Sequence, residues 1–147
     1  MITFEQKRDF LKQLQANKLI EDLQAGVVKV AEMTQKKGQL VAEREQLKDD
    51  LEFWHSKIYL DTYESVMPDG KKPTVADRDA WTTVKLRETK EYMAVHGRAA
   101  FITAQLAQAD SDLAREEHKF VALKYIIGLR TAQIQFLSGQ EEEPKAQ

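Results

Sequence analysis

The chain has no cysteine, only three prolines and six glycines in 147 residues, and no long hydrophobic run. Without cysteine there can be no disulfide, no Cys-type zinc site and no thiol nucleophile, a composition that suits a reducing cytoplasm. So little Gly and Pro supplies too few turns for a many-stranded sandwich or barrel. The longest apolar stretches, such as Val27-Val28 and Tyr125-Ile126-Ile127, fall far short of the roughly 18 residues of a membrane span. Charges at Glu5, Lys7 and Arg8 occupy the place where a signal peptide needs an apolar core. A soluble cytoplasmic protein with no membrane partner is therefore expected. Charge of one sign is lacking too: 22 Lys and Arg face 24 Asp and Glu, a net charge of −2. Composition alone thus gives no reason to expect nucleic-acid binding.

What is present is helical periodicity. Thr3 with Gln6 reads as a capping box opening a short helix with Phe4, Phe10, Leu11 and Leu14 on a loose apolar face, and Asn17 marks a bend. Alternating steps of four and three then pick out Leu19, Leu23, Gly26, Val30, Met33, Lys37, Leu40, Arg44, Leu47, Leu51, Trp54 and Ile58. Nine of these twelve are apolar, the a and d spacing of a coiled coil. This helix is expected to end near Val66, before the two prolines and Asp-Gly of Met67–Pro73.

Thr74, with Asp77 three residues on, caps a middle helix through about Lys90, with Ala80 or Trp81, Val84 and Glu88 on one side. His96-Gly97 is the expected bend into the last segment. There Tyr92, Val95, Ala99, Ile102, Leu106, Ala109, Leu113, Glu116, Phe120, Leu123, Ile127, Arg130, Ile134 and Leu137 follow steps of three and four, twelve of the fourteen apolar. Ser138-Gly139 should end it. Residues 1–137 are thus expected to form one all-α domain with its turn at 67–73, and residues 138–147 a disordered acidic tail.

Helices rise about 1.5 Å per residue, so each long segment should reach roughly 70 Å. A globule of this chain length would be about 40 Å across. An elongated antiparallel helical hairpin is the expected architecture. Such a pair leaves Phe53, Tyr63, Phe101, Tyr125, Ile126, Leu129 and Phe136 outside its seams. Homo-oligomerisation is expected, centred on Phe120, Leu123, Ile126, Ile127, Ile134 and Leu137. A monomeric bundle closed by the 4–16 helix is the alternative.

Catalytic chemistry has no foothold. His55, His96 and His118 lack metal-ligand spacing, Gly70-Lys71 lacks a Walker loop, and Ser56, Ser65, Ser111 and Ser138 sit in no nucleophile elbow. No enzyme, cofactor or metal is expected. An active site shared between subunits is the minor alternative.

Charge is unevenly placed. From Gly70 to Arg98 the basic residues Lys71, Lys72, Arg78, Lys85, Arg87, Lys90 and Arg98 face only Asp77, Asp79, Glu88 and Glu91, with Trp81 and Tyr92 interleaved. Lysines at a turn followed by a basic helix with aromatics can hold phosphates and stack unpaired bases. From charge alone the favoured reading is that Trp81 packs in the core and the lysines solubilise a turn. Repetition around an oligomer would turn a modest patch into a multivalent one.

Two segments resemble the UvsY family of bacteriophage recombination mediators. Lys57-Ile58-Tyr59-Leu60-Asp61-Thr62-Tyr63-Glu64 through Asp69-Gly70 is similar to the family's basic-flanked Leu-Asp-x-Tyr followed by a Gly/Asp loop. Ala122-Leu123-Lys124-Tyr125-Ile126-Ile127-Gly128-Leu129-Arg130 is similar to its Ala-(Ile/Leu)-Lys-aromatic-Ile-x-x-(Met/Leu)-Arg stretch. The resemblance covers roughly residues 40–137. It implies a small oligomeric ring that binds single-stranded DNA and helps load a RecA-type recombinase while single-strand-binding protein occupies the strand. It also implies a carboxyl-terminal oligomerisation helix and, for a phage protein, a place in the host bacterial cytoplasm. Lys57 falls at one basic DNA-contact position. A second such position is Tyr59 here, which can stack a base, or leave Lys71 and Lys72 to supply the charge. The competing function is a protein-only coiled-coil adaptor, scaffold or chaperone. Its prefoldin version is disfavoured because Met67–Pro73 has almost no β-branched residue for a strand.

Overall fold

A computed structural model describes residues 2–13, 16–65 and 67–139. Among these, every regular element is helical. Helix α1 spans Phe4–Gln13, α2 Ala16–Asp61, a single 3-10 turn Thr62–Glu64, α3 Val75–Glu88 and α4 Lys90–Gly139. The chain divides into two compact units: Lys36–Asp110 forms one, Met1–Gln35 with Ser111–Gln147 the other. No helix among the described residues is long and apolar enough to cross a membrane. The expected tail lies outside the described residues from position 140 onward, while the backbone of 138–139 belongs to α4.

The unit of Lys36–Asp110 has its core where the two long helices meet. Ile102 is fully enclosed, with Leu47 and Leu106 beside it and Leu40, Val41, Val95 and Ala99 packed around. These are positions of the three-four pattern, apart from Val41. Two ion pairs flank the core, Lys37 with Asp110 at 2.5 Å and Arg98 Nε with Glu43 Oε1 at 2.6 Å. The hydrogen bond to Glu43 pushes the Arg98 pKa up, away from any physiological titration.

In the other unit, a Cβ placed on Gly26 would lie 3.9 Å from Phe120 Cδ2, an ordinary contact distance. Glu116, one of two polar exceptions in the last stripe, accepts hydrogen bonds from Lys29 Nζ at 3.0 Å and Lys119 Nζ at 3.1 Å. The Lys29 bond and then the Lys119 bond hold its carboxyl below the usual range. The α1 start is the anticipated capping box: Thr3 N–H donates to Gln6 Oε1 at 2.9 Å and Gln6 N–H to Thr3 Oγ1 at 3.2 Å.

Several boundaries differ from expectation, each for a local reason. Helix α2 ends at Asp61 rather than near Val66, which itself lies outside the described residues. Thr62 Oγ1 donates to the Tyr59 carbonyl at 2.6 Å, tightening the last turn into 3-10 geometry. Asn17 falls within the first turn of α2, which begins at Ala16; residues 14–15 lie outside the described residues.

The bend expected at His96-Gly97 is instead at Thr89, and α4 runs through both residues. Thr89 adopts an extended backbone (φ −83°, ψ 111°), while its N–H donates to Leu86 O and its hydroxyl to Lys85 O. Its own carbonyl accepts from Met93 N–H at 3.0 Å, starting α4. A threonine that bonds locally on both sides breaks a helix more firmly than an interior glycine, whose cost is only about 1 kcal/mol.

A candidate nucleic-acid interface

The unit Lys36–Asp110 gathers most of the sequence-selected basic residues around the turn between α2 and α3. Gly70 sits at φ +77°, the left-handed region open to glycine, and its N–H donates to Met67 O at 2.8 Å. Lys71 and Lys72 are exposed on this turn, and Asp69 Oδ1 accepts from the Lys71 N–H at 3.1 Å. Pro73 is buried and delivers the chain to the α3 cap. There Thr74 N–H donates to Asp77 Oδ2 at 2.8 Å and Asp77 N–H to Thr74 Oγ1 at 3.2 Å. Hydrogen bonds from the Thr74 side chain, and secondarily its backbone, hold the Asp77 carboxyl below its ordinary value.

Helix α3 packs on the 3-10 turn, and its covered face shares only Trp81 with the one anticipated. Thr82 and Leu86 are buried and Arg78 and Trp81 half-buried, whereas Ala80, Val84 and Glu88 are exposed. The reason is aromatic: the Arg78 guanidinium lies 3.8 Å above the Tyr63 ring, so a charged residue turns inward. Arg78 thereby acts as a packing residue, its charge directed at a ring.

The remaining candidates fall on two sides of the α2 end. Lys57 and Lys85 line one cleft of about 440 Å3, together with Trp54, Ile58, Asp61, Thr62, Ser65, Trp81 and Thr89. Ile58 and Thr62 are buried and form its floor, while Lys57, Asp61, Ser65 and Lys85 are exposed at its edge. Lys57 Nζ lies 4.9 Å from the centre of the Trp54 ring. Lys85 Nζ is 3.6 Å from Glu88 Oε2.

Tyr59 lines a different depression of about 390 Å3, with His55, Ser56, Leu60 and Asp79. It stacks on His55 with ring centres 6.4 Å apart and meets Tyr63 edge-on at 5.6 Å. Lys57 and Tyr59 therefore serve separate surfaces. Arg87 is exposed on α3 and lines neither cavity.

Trp54, Asp61, Thr62 and Thr89 were not selected from sequence as site residues. Their signal was present as matched faces: Trp54, Lys57, Ile58 and Asp61 recur at helical spacing on α2, as do Trp81, Lys85 and Thr89 from α3 onward. Trp54 was absorbed into the apolar seam, which hid its second neighbourhood.

The expected assembly residues lie in the other unit. Phe120, Leu123, Ile127 and Ile134 are half-buried, Ile126 is exposed, and the Leu137 side chain lies outside the described residues. An open groove of about 550 Å3 runs beside them, lined by Val121, Lys124, Tyr125, Gly128, Leu129 and Ala132. Tyr125 and Leu129 are 73% and 66% exposed, so this apolar surface is unspent by the chain itself.

What the Trp54–Trp81 side offers chemically is cation and aromatic face together, with one carboxylate, Asp61, on the same lining. Among the described residues no three His, Cys, Asp or Glu side chains are grouped as a metal site requires. Comparison with protein-family models, curated proteins and solved structures found no match for this chain.

Proposed function

We propose that the chain is a non-catalytic recombination mediator of the UvsY kind. As a homo-oligomeric coiled-coil protein it binds single-stranded DNA and assists loading of a RecA-type recombinase onto strand covered by single-strand-binding protein. The observation that carries this reading is the cleft lined by Trp54, Trp81, Lys57 and Lys85, in the same unit as the exposed Lys71 and Lys72. Ring faces and flexible ammonium groups are what a sequence-tolerant single-strand binder uses. The apolar groove around Tyr125 and Leu129 supports the homo-oligomer, which would repeat the cleft and raise avidity.

Fluorescence anisotropy on single- and double-stranded DNA across a salt series, paired with light scattering, tests this reading. Single strands should bind more tightly, with log affinity falling linearly in log salt. The Lys71/Lys72→Ala double variant should lower that slope by about 1.4, since each lost phosphate contact contributes about 0.7 on single strands. Equal slopes for the two proteins would remove the turn from the interface. The same exposed groove favours a second reading, a protein-only adaptor, and assembly with no DNA affinity would select it.

A further inference from the structure

We infer that the cleft between Trp54 and Trp81 is a nucleobase-stacking subsite that prefers bases with an exocyclic amine, cytosine over uracil. This rests on the reading of the chain as a single-strand binder and adds a preference which that reading does not require. The cleft, at about 440 Å3, is in the range of small-ligand sites. Two indoles on its lining provide π-faces, and stacking of that kind is sequence-tolerant by itself. The preference comes from the polar part of the wall.

That wall carries one carboxylate, Asp61, beside the donors of Lys57, Lys85, Ser65 and the two indole N–H groups, and the carboxylate is the group that sets the preference. Asp61 contributes a carboxylate, an acceptor only when ionised. A hydroxyl has one proton, and both threonines have committed theirs: Thr62 Oγ1 to the Tyr59 carbonyl at 2.6 Å, Thr89 Oγ1 to the Lys85 carbonyl at 2.7 Å. The strong donors are Lys57 and Lys85, whose exposed positions at the edge suit phosphates flanking an inserted base. Asp61 is exposed at the same edge, where its charge repels a phosphate set against it. It welcomes a base edge that carries protons. Cytosine presents its 4-amino group as a donor, and an acidic side chain accepting from that amine is an established pairing. Uracil presents a carbonyl oxygen at the same place, and its single ring N–H lies between two carbonyls that the carboxylate repels.

Both tryptophans of the chain line this cleft, so indole fluorescence reports on it without labelling. The full-length protein is titrated with short oligo-dC, oligo-dU and an abasic strand of equal length, following fluorescence quenching and anisotropy in parallel. Expected are quenching by dC and dU but not by the abasic strand, and dC affinity about five- to tenfold above dU, the lower range for one such contact. Asp61→Asn, an exposed position checked for fold by circular dichroism, should abolish or reverse the preference, because an amide can donate to the uracil carbonyl. Trp81→Leu should weaken dC binding roughly tenfold.

Anisotropy that rises without quenching would place the strand elsewhere and overturn the subsite while leaving single-strand binding intact. Equal dC and dU affinities in the unaltered protein would overturn the base preference. No binding to any strand would overturn both this inference and the reading beneath it.

Discussion

Replacing Ile102 by alanine removes three carbons from the one large apolar side chain that is wholly enclosed in the unit Lys36–Asp110. At about 0.8 kcal/mol per buried carbon, the lost transfer free energy is about 2.4 kcal/mol. The cavity adds to this. Leu47 and Leu106 border the site from two long helices, neither of which can collapse independently into the space, so a total near 3–4 kcal/mol is expected. That is a large fraction of the roughly 5–15 kcal/mol by which domains are stable. Urea unfolding followed by far-UV circular dichroism, at fixed protomer concentration because the proposed assembly would contribute to apparent stability, reads the change. The midpoint should fall with little change in slope, and the melting temperature should drop by roughly 10 °C. Thr103→Ala is the control: Thr103 is exposed and its hydroxyl only back-bonds to Ala99 O at 2.9 Å. It should stay within about 0.5 kcal/mol of the parent. A loss below about 1 kcal/mol for Ile102→Ala would refute the enclosed core.

Two interior glycines of α4 separate helix propensity from assembly. A Cβ on Gly97 or Gly128 meets nothing within 4 Å, so alanine at either should stabilise the helix by about 0.5–1 kcal/mol. Gly128 also lines the groove assigned to self-association, so only Gly128→Ala should shift light scattering toward smaller species; identical scattering by both variants would move the subunit contact elsewhere. Thr82→Val should be neutral or stabilising by about 1 kcal/mol, because the Thr82 hydroxyl is buried with no hydrogen-bond partner among the described residues. A loss in thermal melting above 1 kcal/mol would mean that hydroxyl is satisfied. Asp77 and Glu116 have folded-state pKa values below their ordinary ones. The unfolded chain therefore binds protons first, and their contribution, present above about pH 4, is lost as pH falls through the lowered values. Thr74→Ala should flatten that acid dependence and cost about 1 kcal/mol at neutral pH through the lost cap.

The long helices were legible because their stripes are apolar at helical spacing. Of the twelve stripe positions from Leu19 to Ile58, only Arg44 is exposed, and even Lys37 is partly covered. Helix α3 was misread because its inward face mixes Arg78 and Thr82 with Trp81 and Leu86. Periodicity favours Val84, but the Tyr63 ring draws Arg78 inward and Thr82 follows it, leaving Val84 in water. No hydropathy pattern anticipates a half-buried arginine whose partner is an aromatic face on another element. The site was legible by half for a related reason. Lys57, Lys85 and Trp81 stood out as charge and aromatics, yet their meeting with Trp54 depends on where α2 ends, and the hydroxyl of Thr62 decides that.

The ion pairs Lys29–Glu116, Lys37–Asp110 and Glu43–Arg98 each keep at least one partner well exposed to water, so they add little to stability. Their consequence is alignment. A stripe that repeats every seven residues allows one helix to slide by a heptad along the other and still meet apolar side chains. Sliding α4 one way would set Lys29 against Leu123, Lys37 against Glu117 and Glu43 against Gln105; the other way would set them against Ala109, Thr103 and Glu91. Only the native alignment satisfies all three charges, and one alternative opposes two glutamates. Neutralising the three pairs together should leave helix content unchanged while letting the chain populate slipped partners.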